Sequence, residues 1–198
     1  MKTAKIISII GHPIFHPTWM MILLLSLGIT RFNPGNDMLF FRTTLLLTCL
    51  VPLLIIFMLK KWNFISSVEM DNKDDRLGPI FILLLFLYTT LRFFDKLNFF
   101  YIYKFYLSTV IVVTGLAFII TFFWKISLHN IGWGNLVGCL FIMTAMDYVF
   151  MPYFFASILL AGIVASARLK LKSHDTAQIY SGFAMGFATV IIMYFYFF

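Results

Sequence analysis

Charge is scarce in this chain. Only 12% of its 198 residues are Asp, Glu, Lys or Arg, where a water-soluble domain carries about a quarter. With 62% of residues hydrophobic and a mean hydropathy of +0.95, a water-soluble core of this length cannot enclose the apolar surface. The composition therefore excludes a soluble globular protein and points to an integral membrane protein. Cysteine is nearly absent. Cys49 and Cys139 are the only two, both inside apolar segments, which excludes a disulfide framework. No Gly/Ser linker, charge block or internal repeat breaks the chain, so residues 1–198 read as one membrane domain. The net charge is +7, yet no run of Lys and Arg forms a nucleic-acid patch. The expected partners are membrane lipids, whose anionic headgroups suit the loop cations. The first apolar segment has no small-residue cleavage site and is expected to be retained.

What the chain does have is long apolar runs. About 20 such residues cross a ~30 Å hydrocarbon core as a helix, and lipid obliges the backbone to satisfy its own hydrogen bonds. Runs such as Leu83-Leu84-Leu85-Phe86-Leu87 lack the alternation of a membrane barrel. The predicted fold is all-α, a bundle of six to seven transmembrane helices. Its spans are residues 14–29, 38–59, 79–94, 102–124, 131–149, 152–167 and 177–198. Aromatic runs such as Phe99-Phe100-Tyr101 and Tyr194-Phe195-Tyr196 fit lipid-facing surface and interfacial belts.

Three polar clusters interrupt the apolar sequence. They are Lys73-Asp74-Asp75-Arg76-Leu77-Gly78-Pro79, Lys125-Ile126-Ser127-Leu128-His129 and Arg168-Leu169-Lys170-Leu171-Lys172-Ser173-His174. Ionisable groups at a membrane boundary are costly and mark a functional site. With seven spans, the three clusters fall on the side of the N-terminus, together with ten of the 15 lysines and arginines. The positive-inside bias favours that side as cytoplasmic; a re-entrant first span would place the clusters on the side opposite the N-terminus. In the third cluster, His174 is a candidate nucleophile toward phosphorus, and Arg168 offers a planar fork of donors for phosphoryl oxygens. In the second, His129 is a candidate proton donor to a leaving group. Ser127, Lys125 and backbone N–H groups nearby are candidate phosphate ligands, and Gly132, Gly134 and Gly138 permit close helix approach. In the first, Lys73 and Arg76 precede a helix that opens near Pro79, an arrangement suited to an anion. Each cluster also admits a plain reading as a solvated or headgroup-facing loop, which Glu69, Asp71, Asp74 and Asp75 favour for the first.

The order of these motifs resembles that of the type-2 phosphatidic acid phosphatase superfamily, lipid phosphatases related in fold to the vanadium haloperoxidases. The resemblance covers about residues 73 to 186. It implies a core similar to that helical bundle. It also implies hydrolysis of a lipid phosphate monoester or pyrophosphate through a phosphohistidine, without metal or other cofactor, in a bacterial inner membrane. Carried over, Arg76, Ser127 and Arg168 bind phosphate, His129 protonates the leaving group and His174 is the nucleophile. The chain departs from the family pattern in several places. The family lysine falls on Glu69, with Lys73 a nearby substitute. Arg76 is separated from Pro79 by two residues. Pro-Ser-Gly-His is reduced to Ser127-Leu128-His129, and the serine before the arginine is Ala167. The aspartate that orients the nucleophile is Gln178, which can hold a ring N–H but supplies no charge. Asp175 is a second orienting candidate.

Two other readings are carried forward. Loss of the orienting charge suits a non-catalytic lipid-phosphate binder or transporter. Asp71, Asp74 and Asp75 suit a magnesium-dependent membrane prenyltransferase, although the only acids beyond Asp95 are Asp147 and Asp175. Asp147 is expected to cap or pair locally. His12 and His16 have a spacing that suits a metal on one helix face, but Pro13 and Pro17 favour a helix entry or turn there.

Overall fold

A computed structural model describes residues 1–29, 36–67, 70, 72–97 and 100–197, and among these every regular element is helical. Glu69, Asp71, Phe99 and Phe198 lie outside the described residues. The α-helices are α1 Lys2–Ile10, α2 His16–Ser26, α3 Asp37–Thr44, α4 Val51–Lys61, α5 Leu77–Lys96, α6 Tyr101–Thr121, α7 Leu128–Met146, α8 Met151–Lys170 and α9 Thr176–Phe197. Among the described residues, six stretches are long and apolar enough to cross a membrane: Lys2–Ser26, Asp37–Lys61, Asp74–Lys96, Tyr101–Thr121, Tyr148–Lys170 and Thr176–Tyr196. Their outer faces expose large apolar side chains, Leu54, Phe81, Leu159 and Phe195 among them, as an integral membrane protein requires. The chain divides into two compact units, residues 1–13 with 115–198, and residues 14–114.

In the first unit α7 is the central helix. Buried residues surround it, from His129 and Asn130 through Trp133 and Cys139 to Met143, the pattern of a helix packed on all sides. Its tight partner is α9. A Cβ on Gly134 would stand 2.1 Å from the carbonyl oxygen of Phe183, and one on Gly186 would stand 2.2 Å from that of Ile131. Only hydrogen at those two positions lets the backbones touch. The small residues of α1, Ala4 and Ser8, are buried, and α1 packs on α8.

The second unit is built differently. Between α3 and α4 lies a π-helical turn, Leu45–Leu50. Pro52 has no N–H for the carbonyl of Thr48 and its ring crowds that carbonyl, a local cause for the widened turn. Tyr103 is fully buried and donates to the Pro17 carbonyl at 3.1 Å and to Thr44 Oγ1 at 3.3 Å. Phe94 packs edge-on to both Phe40 and Tyr103.

Several boundaries differ from those read in the sequence. The chain is helical from Lys2, not from Ile14, with a break at Gly11–Phe15 where Pro13 withholds its N–H. The polar N-terminal residues sit at one end of α1 and its Ile-rich remainder continues the apolar stretch. The fifth span was expected at 131–149, but α7 starts at Leu128 and ends at Met146, and it is not among the six crossing stretches. There Asp147 Oδ1 accepts from the Val149 N–H at 2.9 Å and starts a 3-10 turn, the local capping role its position suggested. The sixth span was expected to stop at Ala167, yet α8 runs to Lys170, so Arg168 belongs to a helical turn rather than a loop.

Candidate functional site

The third cluster is folded by a helix stop. Lys172 adopts φ 54°, and the N–H groups of Lys172 and Ser173 return to the carbonyls of Leu169 and Arg168 at 2.9 and 3.3 Å. This paired closure ends α8 with a left-handed residue and turns the chain sharply between Arg168 and His174. Asp175 then caps α9, its Oδ1 accepting from the Gln178 N–H at 2.8 Å. One helical turn separates His174 from Gln178, and His174 Nδ1 donates to Gln178 Oε1 at 2.7 Å. A carbonyl oxygen can only accept, so Nδ1 carries the hydrogen and Nε2 keeps the ring's lone pair. Asp175, the second orienting candidate, is engaged with the backbone of α9.

The second cluster opens α7. Ser127 is extended, with φ −81° and ψ 101°. Its Oγ accepts from Asn130 Nδ2 at 2.9 Å, which leaves the hydroxyl hydrogen to donate. Its backbone N–H, a candidate for an oxyanion, instead donates to the Gln178 carbonyl at 3.4 Å. His129 lies in the first turn of α7 and is 8% exposed. Its Nε2 donates to the Ser8 carbonyl at 3.0 Å and stands 3.4 Å from Ser8 Oγ.

The N-terminal helix thus enters the site. Arg168 Nη1 donates to Ser8 Oγ at 2.9 Å. The His12 ring meets the His129 ring edge-on, with centroids 4.8 Å apart and planes at 83°. Trp133 Nε1 donates to the Gly11 carbonyl at 3.0 Å and ties the end of α1 to α7. His129 lies outside the six crossing stretches. Burial, chiefly, holds its imidazole well below the usual histidine range, and the positive charge of His12, Arg168 and His174 adds to this, while the Ser8 carbonyl opposes it.

Within the first unit the structure therefore brings together Ser127, His129, Arg168, His174 and Gln178, with Lys125 half-buried two residues before Ser127. Lys73 and Arg76 belong to the second unit. There Arg76 is 3% exposed and its Nε donates to the Met70 carbonyl at 2.8 Å, while Asp75 accepts from the Ser66 backbone at 3.0 Å. Among the described residues no group of three or more His, Cys, Asp or Glu is arranged to hold a metal ion. Sequence reading missed Ser8, Asn130 and Trp133, and left His12 without a role. The only signal for Ser8 was the spacing Ala4, Ser8, Gly11, small residues on one face of an otherwise bulky helix.

Next to Ser8 and Arg168 in sequence, a groove of about 500 Å³ runs between α1 and α8, lined by Ala4, Ile7, Leu159, Gly162, Ile163 and Lys170 among others. Its walls are mainly apolar, with one ammonium among the lining groups. No protein-family profile, no curated protein and no solved structure matches this chain.

Proposed function

We propose that this protein is a membrane lipid phosphatase that cleaves a lipid phosphate monoester or pyrophosphate through a phosphohistidine. One observation carries the reading: a buried histidine, His174, donates its Nδ1–H to Gln178 Oε1 at 2.7 Å, which leaves the ring's lone pair on Nε2. Most of the catalysis of phosphoryl transfer comes from positioning and from cations placed where negative charge develops. Arg168, with Ser127 and Lys125 as further ligands, supplies that electrostatic part. His174 Nε2 attacks phosphorus and the bond from phosphorus to the lipid-side oxygen breaks. The substrate anion raises the proton affinity of His129. One N–H of its doubly protonated ring remains on the Ser8 carbonyl, and the other gives its proton to the departing oxygen. Water then attacks phosphorus, His129 takes its proton, the P–N bond breaks and phosphate leaves. The groove between α1 and α8 supports the lipid half of the reading, because Ile7 and Ala167 on its walls adjoin Ser8 and Arg168. The resemblance of the motifs supports a bacterial inner membrane as the location.

A second reading has its own observation. The group on His174 Nδ1 is a neutral amide, and a carboxylate is what ordinarily stabilises the imidazolium. A pocket with this geometry could bind lipid phosphates without turning them over. Phosphate release from a panel of lipid phosphates, by wild type and His174→Ala with and without chelator, separates the two. Turnover that resists chelator and falls about 10³-fold or more in the variant is expected of the phosphatase. Full activity in His174→Ala overturns it, and tight binding without release from any lipid favours the binder.

A further inference from the structure

The N-terminal segment carries one residue that the phosphatase reading does not use, His12, and one that it uses only through its backbone carbonyl, Ser8, and the structure puts both against its machinery. Ser8 bridges the site: its hydroxyl accepts from Arg168, 160 positions away, and its carbonyl accepts from His129, 121 positions away. His12 stands edge-on to His129 at the turn where α1 ends, and Trp133 fastens the adjacent Gly11 carbonyl. Two imidazoles and a guanidinium so gathered repel one another when charged. The carboxylates of this unit are Asp147 and Asp175, and both cap helices through backbone N–H groups. A tetrahedral oxyanion is a ligand that suits a cluster of imidazole donors around one guanidinium, with no carboxylate of this unit facing it to compete.

We propose that His12 is a phosphoryl-binding residue of this site, and that Ser8 is a positioning residue that holds Arg168 and His129 in register around the same anion. The proposal rests on the phosphoryl reading of the cluster. His12 supplies a second imidazole donor to the non-bridging oxygens beside His129, so the anion is gripped from the N-terminal helix as well as from α7 and α8. Ser8 touches no ligand. It accepts from Arg168 through its side chain and from His129 through its backbone, which ties a side-chain substitution to the arginine more than to the histidine.

The test uses the full-length protein in detergent, with inorganic phosphate and orthovanadate as probes. Calorimetric affinity is measured for wild type, His12→Ala, His12→Gln and Ser8→Ala, with thermal unfolding of each alongside. The expected result is wild-type binding that weakens about tenfold or more in His12→Ala, is partly restored by the amide donor of His12→Gln, and weakens less in Ser8→Ala. Where a lipid substrate is turned over, His12→Ala raises KM more than it lowers kcat. Histidine-ring NMR of the wild type needs no substitution. Two of the four rings are in mutual contact, and phosphate should shift both members of that pair. Wild type that binds neither probe overturns the phosphoryl reading together with this inference. Wild-type affinity retained in folded His12→Ala, or a phosphate shift confined to one ring of the pair, overturns the inference alone.

Discussion

The two units satisfy their polar groups in different proportions. In the second unit the hydroxyls of Thr48, Thr90 and Thr109 donate to carbonyls three or four residues back on the same helix, and Asp95 pairs with Arg92 and Lys104. The threonine hydroxyls need nothing from another helix; Tyr103 and the Asp95–Lys104 pair, which joins α5 to α6, do. The first unit has residues of that kind too, Thr144 and Thr189. It adds polar contacts that run between helices: Arg168 to Ser8, His129 to Ser8 and Trp133 to Gly11. Buried Arg76 and half-buried Arg168 show the same contrast. Arg76 gives its Nε to a carbonyl six positions away, whereas Arg168 reaches a hydroxyl on a different helix. A polar group satisfied within its own turn stabilises a helix in lipid and does little else. Groups satisfied across helices instead fix the positions of several polar side chains relative to one another, which is what a candidate site in an apolar protein requires.

Glycine offers the harshest way to break that comparison. Gly186→Ala drives a methyl against the Ile131 carbonyl and forces α7 from α9, so we expect a loss of about 3 kcal/mol or more, read as a fall in yield and in the unfolding midpoint in detergent. Gly78→Ala at the start of α5 meets open space and is expected to change stability by no more than about 1 kcal/mol, toward stabilisation. Equal effects at the two positions would mean that the close crossing is not what holds the first unit.

Charge beside His174, the proposed nucleophile, sharpens the comparison next. Gln178→Glu keeps the shape of the group on His174 Nδ1 and gives it the missing carboxylate charge. Phosphate release is expected to rise roughly tenfold, since loss of the equivalent charge in a catalytic triad costs far more than that; single-turnover kinetics reads it directly. A rate that does not move, with His174 still required, would show that orientation suffices here.

The smallest effect concerns the groove. A Cβ on Gly162, which lines the groove, meets nothing within 4 Å, so Gly162→Leu is expected to occupy part of the groove. KM is expected to rise several-fold for long-chain lipid phosphates and to stay unchanged for a short water-soluble phosphate ester. A parallel rise for both would separate the groove from substrate binding.

Much of the helical architecture was legible because the reasons for it are local. Uninterrupted apolar runs select helices, and prolines mark their breaks, as at Pro13. The pair of His174 with Gln178 could be read from a spacing of one helical turn, and the closeness of α7 to its neighbours from Gly134 and Gly138. Boundaries at polar clusters were less legible. Lys170 and His129 look like loop residues to a hydropathy window, yet each continues a helix whose backbone needs the turn more than its side chains need water.

By itself the sequence determined that this is a helical membrane protein, where its apolar stretches run, and which histidines and arginine stand within a turn or two of one another. Only the tertiary structure decided that α1 closes the site, with Ser8 on Arg168 and His129 and with His12 edge-on to His129. Helix formation follows from each segment's own backbone and surroundings. A contact between residues 121 or 160 positions apart depends on which faces of α1, α7 and α8 fit together, and in a chain this uniformly apolar no periodic pattern announces that choice.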